Sequence, residues 1–202
     1  MPSPLPFNSE QRQVIKHLAG SLFVLAPVGT GKTSVLSARV AQALAQGMDP
    51  SRVLCLTFTN RAAKEMGDRL QAERQVTIKT FHGLCVRILR MGAEALGLPS
   101  DFVIYDAEDS ADILKGLMRR QEKAHLEDRV KEVKSTISND KSKASPNGLT
   151  LDLSLAGLFA AFAPQERRWA ELYQAELQKR QALDFDDLIF FTRSNARLMN
   201  SS

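Results

Sequence analysis

The chain has 202 residues, 44% of them apolar and 25% charged, with a net charge of +4. That length suits one domain, or one with a sizeable insertion, and the composition is ordinary for a soluble globular protein. No run approaches the roughly 20 apolar residues of a membrane span, and Met1 to Glu10 has neither the basic nor the apolar region of a secretory leader. Cys55 and Cys85 both sit in apolar settings. They read as free, buried thiols in a reducing compartment, the cytoplasm, and not as metal ligands. Residues 1–100 carry 12 Lys/Arg against 6 Asp/Glu, whereas residues 101–202 carry 15 against 17. A polyanionic partner is expected on the first half, although a surplus of this size is also what a solvated surface carries.

In chain order, Leu22–Ala26 reads as a buried strand. A helix follows from about Lys32 to Gln46, closed by Gly47 and then Pro50. Arg52–Thr57 is a second strand. Ala62, Met66 and Leu70 make a helical stripe within 60–72, and Val76–Lys79 is a third, weaker strand. Phe81, Leu84, Cys85, Ile88 and Leu89 fall on one helical face, with Thr80 as the expected N-cap. Strands alternating with helices at this spacing predict parallel βαβ units covered on both faces. Beyond residue 95 the pattern changes. Phe102–Tyr105 is a short strand, and Asp106 with Asp109 marks a helix start whose buried face is Ile113, Leu114, Leu117 and Met118. Residues 134–148, "KSTISNDKSKASPNG", are polar and read as a mobile loop. Helical patterns return at Leu155–Phe162 and after Pro164, where Trp169, Leu172, Tyr173 and Leu177 form a stripe. A last helix follows Asp184, with Phe185, Leu188 and Ile189 facing inward.

The stretch "LFVLAPVGTGKTSVL" sets a glycine-rich turn between a strand and a helix opening with Gly31, Lys32 and Thr33. This is the P-loop arrangement. Successive backbone N–H groups in such a turn make an anion nest, and the helix adds its positive dipole end. Gly29 and Gly31 let the backbone approach phosphate oxygens. Lys32 would reach the β- and γ-phosphates of ATP, and the Thr33 hydroxyl would hold Mg²⁺. The first position of the motif is Ala26 instead of glycine, and Pro27 lacks an N–H. The donors should therefore come mainly from Gly29 to Thr33.

A P-loop alone fits kinases, GTPases, motors and helicases. "PFNSEQRQVI", "APVGTGKT", "LCLTFTNRAAKEM", "TIKTFHGLCVRILR" and "LDFDDLI" occur in collinear order. Together they resemble the UvrD/Rep/PcrA family of superfamily 1 DNA helicases, from about residue 6 to 190. "LGLPSDFVIYDAEDSADILKGLM" is similar to the start of that family's helical 1B insertion. The resemblance implies an α/β fold: a P-loop (RecA-like) parallel sheet core, incomplete, with an inserted all-helical subdomain. Residues 1–95 would be the first part of the ATP-binding 1A core, 96–183 the insertion, and 184–202 the start of the return to the core.

The resemblance also implies site residues. The nucleotide would be held by Gln11, which reads adenine, by Ala26, Pro27, Val28, Gly29, Thr30, Gly31, Lys32, Thr33 and Ser34, and by Arg39 near the base. Lys32 and Thr33 would serve the chemistry. Single-stranded DNA would be met by Phe58, Thr59, Asn60 and Arg61, with charge also from Lys64, and by Thr80, Phe81 and His82. The residue types suit this: Phe58 can stack on a base, and Thr59 or Asn60 can reach phosphates. The bland alternative makes Phe58 core and Thr59 or Asn60 a helix cap. Asp106 imitates a Walker B carboxylate, but its place within the insertion predicts a helix cap. The family's "DE" block lies beyond "LDFDDLI", and this chain stops at Ser202 before it, so an N-terminal fragment that cannot unwind DNA alone is expected. The alternative is a non-catalytic nucleotide- and single-strand-binding module completed by a partner polypeptide.

Overall fold

The computed structural model describes residues 7–70, 76–94, 97–119, 125–143 and 164–199. The chain divides into two compact units, Met1–Phe81 and His82–Ser202.

The first unit opens with α1 (Ser9–Lys16), started by a reciprocal capping box between Asn8 and Gln11. α2 (Lys32–Ala45) packs against α1 and ends at Gln46, followed by Gly47 at φ +90°. A left-handed residue there is what a helix C-terminus favours, and glycine adopts it without strain. A single 3₁₀ turn, Pro50–Arg52, delays the second expected strand, which becomes β1 (Leu54–Thr57). α3 (Asn60–Arg69) then carries the chain to β2 (Thr77–Thr80). β1 and β2 are parallel, with Leu54 opposite Thr77 and Thr57 opposite Thr80. Thr80 closes β2, and α4 (Phe81–Met91) begins at the next residue. Val40, Cys55, Met66, Leu70 and Val76 form the buried cluster of this unit, and burial pushes the Cys55 thiol up from its ordinary pKa.

One expectation fails here. Leu22–Ala26 is not a buried strand: among the described residues it pairs with no other segment, and Phe23 and Leu25 are each 84% exposed. A strand is held by lateral hydrogen bonds, and the described sheet of this unit consists of β1 and β2 alone. Apolar content marked the segment as strand-forming but could not supply a neighbour.

The second unit joins α4 to β3 (Val103–Tyr105), α5 (Ala107–Met118), α6 (Leu126–Lys143), α7 (Pro164–Lys179), β4 (Ala182–Asp184) and α8 (Phe185–Met199). Asp106 caps α5 as expected, accepting from the amides of Glu108 and Asp109, and these bonds hold its carboxyl below the usual range. Trp169, Tyr173, Leu114, Met118, Leu188 and Phe191 lie at the centre of a dense core to which Cys85 and Leu89 also belong. Three expectations are corrected. The unit is not all-helical, because β4 pairs in parallel with β3, Tyr105 opposite Asp184. Residues 134–143 are not a mobile loop but the second half of α6. Val130, Val133, Ile137 and Lys141 share one buried face, and the periodicity was hidden because the last position is a lysine. Phe185 does not face inward; it is 44% exposed. The helical expectation at Leu155–Phe162, and residues 144–148 of the expected loop, lie outside the described residues.

Candidate functional site

The glycine turn is built as its composition requires. Gly29 and Gly31 have φ +83° and +76°, the left-handed region. A Cβ at Gly29 would meet nothing within 4 Å, and one at Gly31 would lie 3.8 Å from Gln11 Nε2. Backbone conformation, and not crowding, demands glycine at both positions. Gly31 is the N-cap of α2, so Lys32 and Thr33 open the helix. The unpaired amides of that first turn carry the positive end of the helix dipole.

The loop is tied together by side chains. Lys32 Nζ donates to the carbonyl oxygens of Ala26 (3.0 Å) and Pro27 (2.6 Å). Thr30 Oγ1 also donates to the Pro27 carbonyl, at 2.8 Å. Gln11 links α1 to the turn: its Oε1 accepts from Asn8 N at 2.9 Å, while its Nε2 donates to Thr30 O at 3.1 Å. Arg39 Nη1 donates to Val14 O at 3.4 Å. Gln11, Ala26, Pro27, Thr30, Lys32 and Arg39 all line one cavity of about 520 Å³, whose remaining wall includes Val14, Leu22, Leu25 and Leu36. Val28, which is exposed, and Gly29, Gly31, Thr33 and Ser34 do not line it. The cavity is lined mainly by apolar side chains, with Glu10, Lys32 and Arg39 as its charged members.

Sequence reasoning missed Arg69. At the end of α3, it donates to Ser34 Oγ in the first turn of α2 and pairs with Glu65 at 2.6 Å. No local signal separates it from any other surface arginine, because the bond joins residues 35 positions apart.

The second cluster follows from strand register. Thr57 and Thr80 are partners at the carboxyl ends of β1 and β2. Phe58 and Phe81 are the next residues on each strand, so both aromatics leave adjacent strands at the same sheet end. Phe58 is fully exposed and Phe81 is 57% exposed. Phe58 is therefore not core. Thr59 is the cap of α3, its side chain accepting from Ala62 N at 3.1 Å, while Asn60 and Arg61 stand exposed in the first turn with Lys64 just beyond. In the second unit, the His82 ring lies 5.1 Å from the Phe185 ring, tilted by 52°.

Small parallel sheets among helices, with the glycine turn at the mouth of a helix, make this a mixed α/β protein. The chain belongs to the family of the UvrD/REP helicase N-terminal domain, whose profile matches residues 7–200. It is 34% identical over 193 residues to the ATP-dependent DNA helicase PcrA of Bacillus subtilis (strain 168), covering 92% of this chain and 25% of that protein. It is 33% identical over 192 residues to the ATP-dependent DNA helicase Rep of Buchnera aphidicola subsp. Baizongia pistaciae, covering 91% of this chain and 27% of the relative. A PcrA of Leuconostoc citreum is 34% identical over 202 residues. The chain thus spans about a quarter of the length of the curated relatives it matches. No helix among the described residues is long and apolar enough to cross a membrane.

Proposed function

We propose that this chain is the ATP-binding and single-stranded-DNA-binding N-terminal part of a cytoplasmic, ATP-dependent DNA helicase. The observation that carries the reading is the Gly29–Thr33 turn opening α2 beside a cavity that Gln11, Lys32 and Arg39 line. Amides of the turn and Lys32 hold the phosphates, Arg39 and Gln11 stand toward the base, and Thr33 supplies the Mg²⁺ ligand. Bound Mg²⁺ would take up phosphate charge. Lys32 exchanges the carbonyls of Ala26 and Pro27 for phosphate oxygens. Ser34 is held in the same first turn by Arg69.

DNA meets Phe58 and Phe81 at the sheet end, with Thr59, Asn60, Arg61 and Thr80 on the phosphates, and meets His82 at the start of α4. In this reading residues 1–95 serve as core, 96–183 as the 1B-like insertion and 184–202 as the return. Residues 1–202 by themselves bind both ligands without unwinding DNA. The comparisons lend no support to a second polypeptide.

The test is a titration with a fluorescent ATP analogue and Mg²⁺. Binding should saturate for the native chain and weaken about ten-fold or more in Lys32→Ala, since a charged hydrogen bond contributes roughly 1.5–3 kcal/mol. Indifference to that substitution would remove the nucleotide site. Phe58→Ala should weaken a short single strand by roughly 1–3 kcal/mol, and rising salt should weaken it further.

A further inference from the structure

The second unit buries more acidic side chains than basic ones, and the nucleotide and DNA readings use none of them. Lys141, from α6, is fully buried, and its Nζ lies 3.0 Å from Asp184 Oδ2 and 2.8 Å from Asp187 Oδ1. Asp184 ends β4 and Asp187 sits in the first turn of α8, both buried. From α7, Tyr173 Oη donates to Asp184 Oδ2 at 2.9 Å. Lys141 and Asp184 are 43 positions apart, so the cluster fastens α6 to a distant part of the chain. At the rim of the same junction, Arg193 Nη1 of α8 donates to Ser142 O of α6 at 3.1 Å.

Two carboxylates against one ammonium leave a negative charge in excess when all three groups are ionised. An uncompensated charge in a core is costly, and a buried acid relieves the cost by keeping its proton. The surroundings of Asp187 show where that proton can go. Its Oδ1 faces the Lys141 ammonium, and its Oδ2 accepts from Asp184 N at 3.3 Å and from Gln174 Nε2 at 3.4 Å. The last contact is long. Gln174 is itself buried, and its Oε1 has no hydrogen-bond partner among the described residues. A buried oxygen without a donor thus stands on the same amide that touches Asp187. A half-turn of that amide exchanges its oxygen and nitrogen, and the oxygen then faces the carboxyl.

We infer that closing α6 onto β4 and α8 takes up one proton, which Asp187 holds and donates to the Gln174 amide oxygen, so that the helical unit contains a pH-operated clasp. Lys141 and Asp184 are then a balanced ion pair. Asp187 N still donates to Asp184 Oδ1 at 2.7 Å, so the start of α8 keeps its cap. When the clasp opens, Asp187 meets water and gives up the proton to it as an ordinary carboxylic acid. The groups facing Asp187 are Lys141 from α6, Asp184 from β4 and, from α7, Tyr173 and the uncharged Gln174. Burial and the Asp184 charge push Asp187 up to about 7. Burial would raise Asp184 as well, but Lys141 keeps that carboxyl below its ordinary value. Burial pushes the Tyr173 hydroxyl up, so it stays a donor. The closed form therefore binds the Asp187 proton more tightly than the open form. The clasp is firm near the ordinary carboxylate value, slackens as pH rises to about 7 and changes little beyond.

The experiment is NMR of the 202-residue chain with labelled carboxyl carbons and glutamine amides, from about pH 5 to 8.5, joined to hydrogen exchange of the α6 amides from Ile137 to Ser142. The Asp187 carboxyl and the Gln174 side-chain amide should shift together, with one midpoint at about 7. Protection of the α6 amides, corrected for the pH dependence of exchange in an unstructured chain, should fall by up to about ten-fold per pH unit, the slope of a single proton, and level off above the midpoint. Asp187→Asn offers Gln174 a neutral donor at every pH, so protection there should persist without the slope. An Asp187 carboxyl already ionised at the acid end would overturn the proposal. So would a Gln174 amide that ignores the Asp187 titration, or a slope that survives in Asp187→Asn. Should Asp187→Asn fail to fold, the shared midpoint in the native chain decides alone.

Discussion

In residues 1–81, five side chains form the buried apolar cluster; in residues 82–202, twenty do, among the described residues. The first unit holds every residue proposed for the nucleotide, and nearly all of them are exposed or half-buried. The second unit is dense enough to enclose a lysine and two aspartates. Sites that must receive a ligand are drawn from weakly packed structure, while a well-packed core over-determines the geometry of whatever it encloses. Amides of α3 and β2 should therefore exchange hydrogen faster than those of α5 and α7.

The comparison can be broken first at the cores. Trp169→Ala should cost about 3–5 kcal/mol in urea unfolding, and Met66→Ala nearer 2 kcal/mol, because a small cluster relaxes more fully around a gap. Equal losses would erase the difference between the units. The next effect is on pH. Asp187 holds its proton more tightly folded than unfolded, so its contribution to stability is full below the ordinary carboxylate value and is lost as pH rises to about 7. Asp184 acts in the opposite sense, its contribution lost as pH falls below the ordinary value. Thermal melts should therefore peak near that ordinary carboxylate value, and Asp187→Asn should flatten the alkaline side. Smaller still, Asn8→Ala should cost about 1 kcal/mol by removing the α1 cap. Smallest is Phe23→Ser, within about 0.5 kcal/mol, since its side chain is already in water.

Much of this was legible in the sequence because the signals are local. The Gly47 stop, the Asp106–Asp109 cap and the buried faces of α5 and α7 each span a few residues, and backbone sterics or helical spacing decide them. The glycine turn was legible for the same reason. What was not legible depends on partners distant in sequence. Leu22–Ala26 has the composition of a strand, but pairing is a property of two segments. Lys141 looks like the end of a polar tract until Asp184 and Asp187, more than 40 residues on, are folded against it. Arg69 and Phe185 acquire meaning only through Ser34 and His82.

The bare run from Leu22 to Leu25 has a consequence for handling the chain in solution. It is uncharged, rich in β-forming side chains and flanked by no gatekeeping lysine or glutamate, the profile that invites edge-to-edge association between molecules. Colloidal behaviour of residues 1–202 should accordingly be governed by these four residues, with light scattering climbing as protein is concentrated and subsiding when Leu25 is replaced by aspartate.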